Sequence, residues 1–433
     1  MGGKRKRCSE ISNIAHKLQR RENGNIAHKL QRREIGNRWA LRNTHSQIKF
    51  RNFELQVGFD LFNFQYINHR SMIEEIVSGQ GIIFALAESG VCAAFDRHTN
   101  KRFCYLNLSP QEVIRNMFYN KKNDSLITVS SYVSDRVSMK CRTTPLEYIR
   151  RAQPDAGFDL FENEKIWPGF VEFDDINGKV LTYSLQDHTY KIFDLNKYTL
   201  LFSLSDNEIE QIKTTLGKML LISKRSACGS ILPLKILSIE DGTVLKSINH
   251  SVLPDKKMDF VELFHEKVLL KQESECLQMI DVENEKIIEV SKEEFKKPST
   301  VIFLYGKRLF LSFYGGDVFA WNLQGELVAS YRDHLVMHPG CNVHLTNDEE
   351  MFISYRKVCK SDKRNGSIRI NHSLTGKCCA KIDVGLFWSR PNASPIQSTF
   401  QDALEDITAF FYDQERNEIY TGDTRGFLHV WSN

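Results

Sequence analysis

The C-terminal part of the chain reads Ile407-Thr-Ala-Phe-Phe-Tyr-Asp413 and, after a short turn, Ile419-Tyr-Thr-Gly-Asp423-Thr-Arg-Gly426-Phe-Leu-His-Val-Trp431-Ser-Asn433. Both segments are rich in the β-branched and aromatic residues that favour strands. Gly426, shortly after Asp423, marks a tight turn within the second segment. The stretch therefore predicts three consecutive antiparallel strands, the third of which ends near Trp431.

The same unit recurs throughout the preceding sequence. An apolar strand ends in a large residue followed by Asp or Asn, and another apolar strand begins after a turn of about four residues. We take eight positions as equivalent: Phe95, Leu146, Phe193, Leu237, Ile280, Trp321, Ile370 and Trp431. From residue 95 to residue 431 the average period is 48 residues. This period is typical of a β-propeller, in which small sheets bury their faces by stacking around an axis.

The last unit resembles a WD40 repeat, with an inner strand, the step Thr421-Gly-Asp423, a third strand led by Gly426, and a terminal Trp431. The other units are degenerate, because Phe, Ile or Leu often replaces the tryptophan. The resemblance implies a divergent WD40-repeat (transducin-like) propeller over residues 45–433, all-β, with four-stranded blades. The repeat count gives eight blades, whereas seven is the commoner number in this family, and Leu146 is the weakest position.

The chain ends at the third strand of its last unit, so a fourth strand has to come from elsewhere, because an open sheet edge promotes aggregation. In the WD40 family an N-terminal strand usually closes the ring. Two apolar segments can supply it here, Gln47–Val57 and Phe62–Ile67. The sequence leaves the choice between them open.

Residues 1–44 form a basic N-terminal arm that is distinct in composition from the rest of the chain. Twelve Lys and Arg side chains stand against three Glu, which gives the arm a net charge of +9 and leaves −5 for residues 45–433. The segment 13–24 repeats as 25–36 with one difference, and each copy is too short to form a stable helix alone. The cluster Lys4, Arg5, Lys6 and Arg7 predicts a nuclear localisation signal.

The composition indicates a protein of a reducing compartment. The ten cysteines form no Cys-x-x-Cys pair, and no apolar segment follows the N-terminal charges as in a signal peptide. The longest apolar stretches are far shorter than the ~20 residues that span a bilayer. We therefore expect a location in the nucleus, also in the cytoplasm, and no membrane partner.

No catalytic, cofactor or metal site is expected from the motifs. The sequence lacks a G-x-S-x-G elbow, a P-loop, a dinucleotide fingerprint and an H-E-x-x-H motif. Asp333, His334, His338, Cys341 and His344 are ligand types, but Pro339 and Gly340 prevent one helix face from gathering them. A second site prediction concerns a basic contact loop on a protruding hairpin, formed by Lys360, Lys363, Arg364 and Arg369.

The resemblance implies a non-enzymatic nuclear scaffold that mediates protein–protein interactions in a multiprotein complex. Two alternatives stay open. The basic arm can contact nucleic acid, as in a ribosome-assembly or RNA-processing factor. WD40 proteins also act as substrate receptors of cullin-4 ubiquitin ligases, usually through Trp-Asp-x-Arg at the end of a third strand. Here Phe95-Asp96-Arg97 places the arginine one step early, and Phe193-Asp194-Leu195-Asn196 lacks it.

Overall fold

The computed structural model describes residues 51–54, 71–99, 101–132, 135–161, 170–184, 187–205, 208–225, 229–332, 343–356, 366–383, 403–404 and 407–432, with the backbone alone at 51–54, 135–138 and 356. These residues form eight four-stranded antiparallel sheets. Blade 1 consists of β2 (Ile73–Gly79), β3 (Ile82–Ala87), β4 (Cys92–Asp96) and β5 (Arg102–Tyr105). Blade 2 consists of β6 (Glu112–Asn120), β7 (Ser125–Tyr132), β8 (Asp135–Pro145) and β9 (Phe158–Leu160).

The next four blades follow the same plan. Blade 3 consists of β10 (Phe170–Asp174), β11 (Lys179–Ser184), β12 (Thr189–Asp194) and β13 (Leu200–Ser205). Blade 4 consists of β14 (Ile209–Thr215), β15 (Lys218–Ser223), β16 (Ile231–Ser238) and β17 (Val244–Ser251). Blade 5 consists of β18 (Met258–Phe264), β19 (Lys267–Gln272), β20 (Leu277–Asp281) and β21 (Ile287–Val290). Blade 6 consists of β22 (Thr300–Leu304), β23 (Leu309–Tyr314), β24 (Asp317–Asn322) and β25 (Leu327–Arg332).

The last blade is completed by the N-terminal strand. Blade 7 consists of β26 (Val343–Leu345), β27 (Met351–Arg356), β28 (Ser367–His372) and β29 (Cys378–Asp383). Blade 8 consists of β30 (Ile407–Asp413), β31 (Glu418–Asp423), β32 (Phe427–Ser432) and β1 (Arg51–Glu54). Because β1 pairs with β32, with Arg51 opposite Val430, the structure selects the first of the two predicted closing segments. The predicted N-terminal closure of the ring is confirmed.

The blades are joined into a closed ring by hydrophobic clusters. Among the described residues, each of the eight junctions between neighbouring blades contains one such cluster. The junction between blades 8 and 1 buries Ile73 against Tyr420 and Leu428. A Cβ added at Gly422 would lie 2.4 Å from the Cβ of Ile73, so the glycine of the Thr-Gly-Asp step allows this close approach. The propeller therefore has eight blades, and the predicted all-β propeller fold with four-stranded blades is confirmed.

In blades 1, 3, 5 and 6 the Asp or Asn that ends the third strand closes the turn to the fourth strand. Asp194 Oδ1 accepts hydrogen bonds from the backbone N–H groups of Asn196 and Lys197, both at 2.8 Å. Asp281 and Asn322 make equivalent bonds in blades 5 and 6. Short Asx turns of this kind need a side-chain acceptor at one fixed position, which explains why the residue type recurs with the period of the blades.

The two terminal tryptophans of the repeat units occupy matching positions in their blades. Trp321 Nε1 donates to Ser312 Oγ and Trp431 Nε1 donates to Thr421 Oγ1, each at 2.9 Å. In both cases the third strand is thereby fastened to the second strand of the same sheet. Both indole rings are buried, and a buried indole N–H needs such a partner.

Two of the positions taken as equivalent in the sequence differ from those in the structure. In the other blades, the position taken as equivalent pairs with the second residue of the second strand. In blade 2 that pairing residue is Thr144 and not Leu146. In blade 7 it is Asn371 and not Ile370. Leu146 instead begins a short helix, α1 (Leu146–Arg150), which continues after β8. Polar residues at these two positions hid the register, because the sequence pattern relies on a large apolar side chain there.

Candidate interaction surfaces

Each blade is an antiparallel meander, so its connections alternate between the two ends of the ring. The turns between first and second strands and between third and fourth strands lie at one end, for example residues 80–81 and 97–101. We call this end the turn face. The connections between second and third strands, and those between successive blades, lie at the other end, which we call the loop face. The first strands are innermost, since β2 contacts both β30 and β6 across blade junctions.

Exposed hydrophobic side chains are concentrated on the turn face. Of the sixteen large hydrophobic residues that are exposed within the described part of the chain, eleven lie at this end. They are Tyr148, Phe158, Ile176, Leu200, Leu201, Leu216, Val244, Leu245, Ile287, Leu327 and Val328. The five at the loop face are Leu108, Phe170, Ile231, Leu253 and Tyr314. The two ends of the ring therefore differ in the apolar surface they offer to a partner.

Five of these side chains repeat at one structural position. Phe158, Leu200, Val244, Ile287 and Leu327 are the first residues of the outer strands of blades 2 to 6, and we call them the apolar rim. They are 44–59% exposed. The outer strands of the other three blades begin with Arg or Cys instead. The rim thus covers five consecutive blades and ends at blades 1 and 7. The rim could not be predicted from the sequence, because the alternation of these strands does not show which side of the sheet is left uncovered.

A cavity of about 1030 Å³ lies along the innermost strands of the ring and reaches the turn face. It is lined by the inner strands β2, β6, β26 and β30 and by turns of blades 1, 2, 3, 7 and 8, and we call it the mouth. Its carboxylates are Glu74, Glu75, Asp175, Asp413 and Glu415. Its two cationic side chains are Lys121 and Arg416. Carboxylates therefore outnumber cations, and several aromatic rings of β6 and β30 complete the lining.

Burial shifts the pKa of several groups that line the mouth, among them Glu75 and His344. Burial raises the pKa of the Glu75 carboxyl to about 7, although the backbone N–H of Met117 donates to its Oε2 at 3.1 Å. Burial also lowers the pKa of His344 below its ordinary value, and the rings of Phe411 and Tyr412 contact this imidazole edge-on. At neutral pH the imidazole is uncharged, so it adds no positive charge to the mouth.

The predicted site residues lie mostly outside the described part of the chain. This holds for Lys4, Arg5, Lys6 and Arg7 of the arm and for Lys360, Lys363 and Arg364 of the basic loop. Arg369 lies in β28, partly buried, with its backbone between Ser354 and Lys381. Strands β27 and β28 on either side of residues 357–365 pair as an antiparallel hairpin. The basic contact loop stays a prediction.

Arg97, the arginine closest to a ligase-receptor motif, has a structural role. It is 7% exposed and forms an ion pair with Glu418 of blade 8, with Nε 2.7 Å from Oε2. Its Nε is also 3.1 Å from the hydroxyl of Tyr420, which itself donates to Glu418 at 2.6 Å. The guanidinium therefore fastens blade 1 to blade 8 and is not presented to a ligase adaptor.

Two absences hold within the described residues, one of a metal-ligand cluster and one of a membrane-spanning helix. Within the described residues, no three His, Cys, Asp or Glu side chains are grouped so that they can hold a metal ion. Of the histidine-rich segment only His344 is described, in β26. None of the described helices has the length and hydropathy to cross a bilayer.

Three solved structures superpose on most of this chain at low sequence identity. The computationally designed Ika8 protein superposes with a TM-score of 0.51 at 14% identity, covering 84% of this chain and 97% of its own. BamB from Moraxella catarrhalis has a TM-score of 0.43 at 13% identity, with 83% and 94% covered. The C-terminal WD40 domain of Sif2 has a TM-score of 0.47 at 10% identity, with 84% and 96% covered. At such identities the similarity concerns the fold alone.

Sequence comparison gives a family for most of the chain. No curated protein matches it. One family model, described as "Domain of unknown function (DUF7899)", matches residues 38–431. This match includes every blade of the propeller and leaves out most of the basic arm. The chain therefore belongs to the DUF7899 family, and the matched region corresponds here to an eight-bladed β-propeller.

Proposed function

We propose that this protein is a non-enzymatic nuclear scaffold that binds another protein through the apolar rim on its turn face. WD40-like propellers are typically protein-interaction scaffolds, and the likeness in fold supports a role of this class. The observation that carries the proposal is the unequal distribution of exposed hydrophobic side chains, eleven at the turn face against five at the loop face. Exposed hydrophobic side chains that gather at one end of a fold are a feature of protein interfaces.

The partner that fits this surface has an extended apolar ridge of its own. The rim side chains lie at the same height on successive blades, so they form a curved row rather than a pocket. Aliphatic side chains dominate the row, with one aromatic ring at Phe158. Burial of such side chains contributes about 25 cal/mol per Å² of apolar surface, part of which offsets the entropy lost on association. A partner with an elongated apolar surface buries these rim side chains better than a partner with a charged surface.

We expect the substitution of three rim residues to remove the partner. The variant Leu200→Ser, Val244→Ser, Leu327→Ser takes hydrophobic groups from three blades, each about half exposed. Because exposed side chains contribute little to folding, the thermal midpoint should hardly change. The proteins that co-purify with the tagged full chain from nuclei should fall at least about tenfold, as expected when interface anchors are lost.

The matched control changes three comparable residues at the loop face. The variant Leu108→Ser, Leu253→Ser, Tyr314→Ser removes side chains of similar exposure. It should retain the full set of co-purifying proteins, as quantified by mass spectrometry. Equal losses from both variants, or no loss from the rim variant, would show that the rim is not the binding surface.

The nuclear part of the proposal rests on Lys4, Arg5, Lys6 and Arg7. Clustered cations near a chain end suit the acidic grooves of an import receptor. With all four replaced by alanine, we expect a fluorescently tagged full chain to shift from the nucleus to the cytosol. Replacing Lys360, Lys363 and Arg364 instead is the control for charge, and it should leave the nuclear signal in place. Unchanged nuclear accumulation of the first variant refutes the signal.

A further inference from the structure

We propose that the partner binds the apolar rim through a protein segment in which lysine or arginine side chains flank hydrophobic ones. The inference rests on the proposed function, because it specifies the chemistry of the partner that the rim receives. Two observations carry it. Carboxylates are concentrated in the turns beside the rim in blades 4 to 6, and these turns pack between the rim side chains of neighbouring blades.

Three turns beside the rim are acidic. They join the third strand to the fourth in blades 4, 5 and 6, at residues 239–243, 282–286 and 323–326, and we call them the acidic turns. Together they hold five exposed carboxylates and one exposed cation, Lys286. The carboxylates are those of Glu240, Asp241, Glu283, Glu285 and Glu326.

The corresponding turns of three other blades have the opposite charge. In blades 1, 3 and 7 the third strand is joined to the fourth by residues 97–101, 195–199 and 373–377. Each of these turns contains Lys or Arg, and none contains a carboxylate. The acidic turns are therefore a local feature of three rim blades and do not merely reflect the average charge of the body.

The acidic turns of blades 4 and 6 pack against the outer strands of the preceding blades. A Cβ added at Gly242 would lie 2.6 Å from the ring of Phe202 in β13, so the turn of blade 4 lies on the outer strand of blade 3. A Cβ added at Gly325 would lie 2.8 Å from Val290 in β21, so the turn of blade 6 lies on the outer strand of blade 5. Glycine at these two positions allows the close approach.

Lys246 makes the equivalent contact between blades 4 and 5. Its Nζ lies 2.8 Å from Glu285 Oε1 and donates to the carbonyl of Glu283 at 3.3 Å, which joins the outer strand of blade 4 to the acidic turn of blade 5. Acidic turns and rim side chains therefore alternate along the circumference, from Leu200 in blade 3 to Leu327 in blade 6. A partner segment that covers the rim side chains of two adjacent blades passes over the acidic turn between them.

Two of the five carboxylates are already paired. Lys179 Nζ lies 2.8 Å from Glu240 Oε2, and Lys246 is paired with Glu285. The other three carboxylates form no ion pair with any residue that the structure describes; they belong to Asp241, Glu283 and Glu326. Together with Lys286 these three leave a net charge of −2 beside the rim. Covering an unpaired carboxylate with an apolar surface is unfavourable unless a cation accompanies it, so a partner that buries the rim has to supply Lys or Arg.

A synthetic peptide serves as the probe for this chemistry. It is an amphipathic helix of leucine and lysine, about 18 residues long and labelled with fluorescein. Fluorescence anisotropy with the full chain measures its affinity. In the variant Asp241→Asn, Glu283→Gln, Glu326→Gln the affinity at low salt should fall about tenfold, because three ion pairs with the peptide are lost. Amide oxygens can still accept the hydrogen bonds from Thr243 and Asn322, so the turns should stay folded.

The matched control removes the same number of charges from the loop face. The variant Glu88→Gln, Glu273→Gln, Glu293→Gln changes exposed carboxylates at that end of the ring. It should bind the leucine–lysine peptide within about twofold of the wild type, since these positions are far from the rim. Equal losses in the two variants would show that the peptide responds to net charge alone and would overturn the inference.

Carbodiimide cross-linking locates the bound peptide. The reagent joins a lysine amine to a carboxylate when the two are in contact. We expect the peptide lysines to be joined to one or more of the three unpaired carboxylates of the acidic turns, Asp241, Glu283 and Glu326. Cross-links confined to the loop face or to the mouth would refute the assignment.

Failure of this inference can be told apart from failure of the proposed scaffold function. The rim variant with three serine substitutions leaves every carboxylate of the acidic turns in place, and the neutralised variant leaves the rim in place. We expect both variants to lose the co-purifying partner. A partner lost from the rim variant but kept in full by the neutralised variant would contradict this inference alone. A partner kept by the rim variant would contradict the proposed binding surface and the inference together.

Discussion

Glu112→Ala is expected to lower the free energy of unfolding by about 3–5 kcal/mol, because it leaves the buried guanidinium of Arg142 without its counter-charge. The two side chains are 1% and 3% exposed, with Arg142 Nη1 3.7 Å from Glu112 Oε1. Glu112 Oε2 also accepts a hydrogen bond from the backbone N–H of Leu108 at 2.6 Å, and Arg142 Nη2 donates to the carbonyl of Leu106 at 2.5 Å. The pair fastens the connection between blades 1 and 2 to blade 2.

The expected loss comes from the remaining charge rather than from the lost pair. A buried cation without a partner incurs the whole cost of its removal from water. The double variant Glu112→Leu, Arg142→Met should therefore recover most of the stability, since both charges are absent. Urea denaturation of the full chain measures both variants.

An exposed ion pair serves as the control for Glu112→Ala. Arg151 and Glu147 form an i,i+4 pair at the end of α1 with 59% and 65% exposure. In water such a pair contributes little, so Glu147→Ala should change the free energy of unfolding by less than about 0.5 kcal/mol. A similar loss for both alanine variants, or no recovery in the double variant, would contradict the role of the buried charge.

Glu75→Gln is expected to stabilise the protein at pH 8 and above by about 3 kcal/mol, while it changes little at pH 4.5. Burial raises the pKa of Glu75 from 4.5 to about 7, and each unit of difference between folded and unfolded chain corresponds to about 1.4 kcal/mol. Between pH 4.5 and about 7, Glu75 keeps its proton in the folded chain but loses it in the unfolded chain. Stability therefore falls as the pH rises through this window.

Glutamine reproduces the protonated form at every pH. Its side-chain oxygen can still accept the hydrogen bond from the backbone N–H of Met117, but it never ionises. The free energy of unfolding measured at several pH values should therefore decline between pH 4.5 and 7 in the wild type, relative to Glu75→Gln. The control Glu74→Gln removes only the repulsion that the Glu74 carboxylate exerts on Glu75, which is weaker than the effect of burial. The free energy of unfolding of this control should therefore still decline over most of this pH range. Parallel pH curves for wild type and Glu75→Gln would refute the shift.

The fold could be predicted from the sequence because a blade is made of local contacts. Each sheet joins strands that follow one another along the chain, and the Asx turns need Asp or Asn at a fixed place such as Asp194 or Asp281. A pattern of this kind repeats with the period of the blades, so it is visible without knowledge of distant contacts. The number of blades was harder, because blade 2 carries Thr144 where other blades carry a large apolar residue.

The candidate surfaces could not be predicted in the same way. Glu74 and Glu75 are adjacent and identical in type, yet Glu74 is exposed, whereas burial in the ring raises the pKa of Glu75. Arg97 and Glu418 lie 321 residues apart and meet only because the ring closes. The mouth likewise combines inner strands from both ends of the chain. Burial and long-range electrostatics depend on which segments come together in space, and no local pattern records that.

The sequence by itself therefore determined the repeating sheet, the closure by an N-terminal strand and the separation of a basic arm from an acidic body. These properties follow from strand periodicity, unpaired edges and composition, all of which are local or additive along the chain. Only the tertiary structure decided that there are eight blades, that Gln47–Val57 contains the closing strand, and which end of the ring exposes apolar side chains. Those outcomes depend on how neighbouring blades pack, because packing decides which side chains are covered and which remain in water.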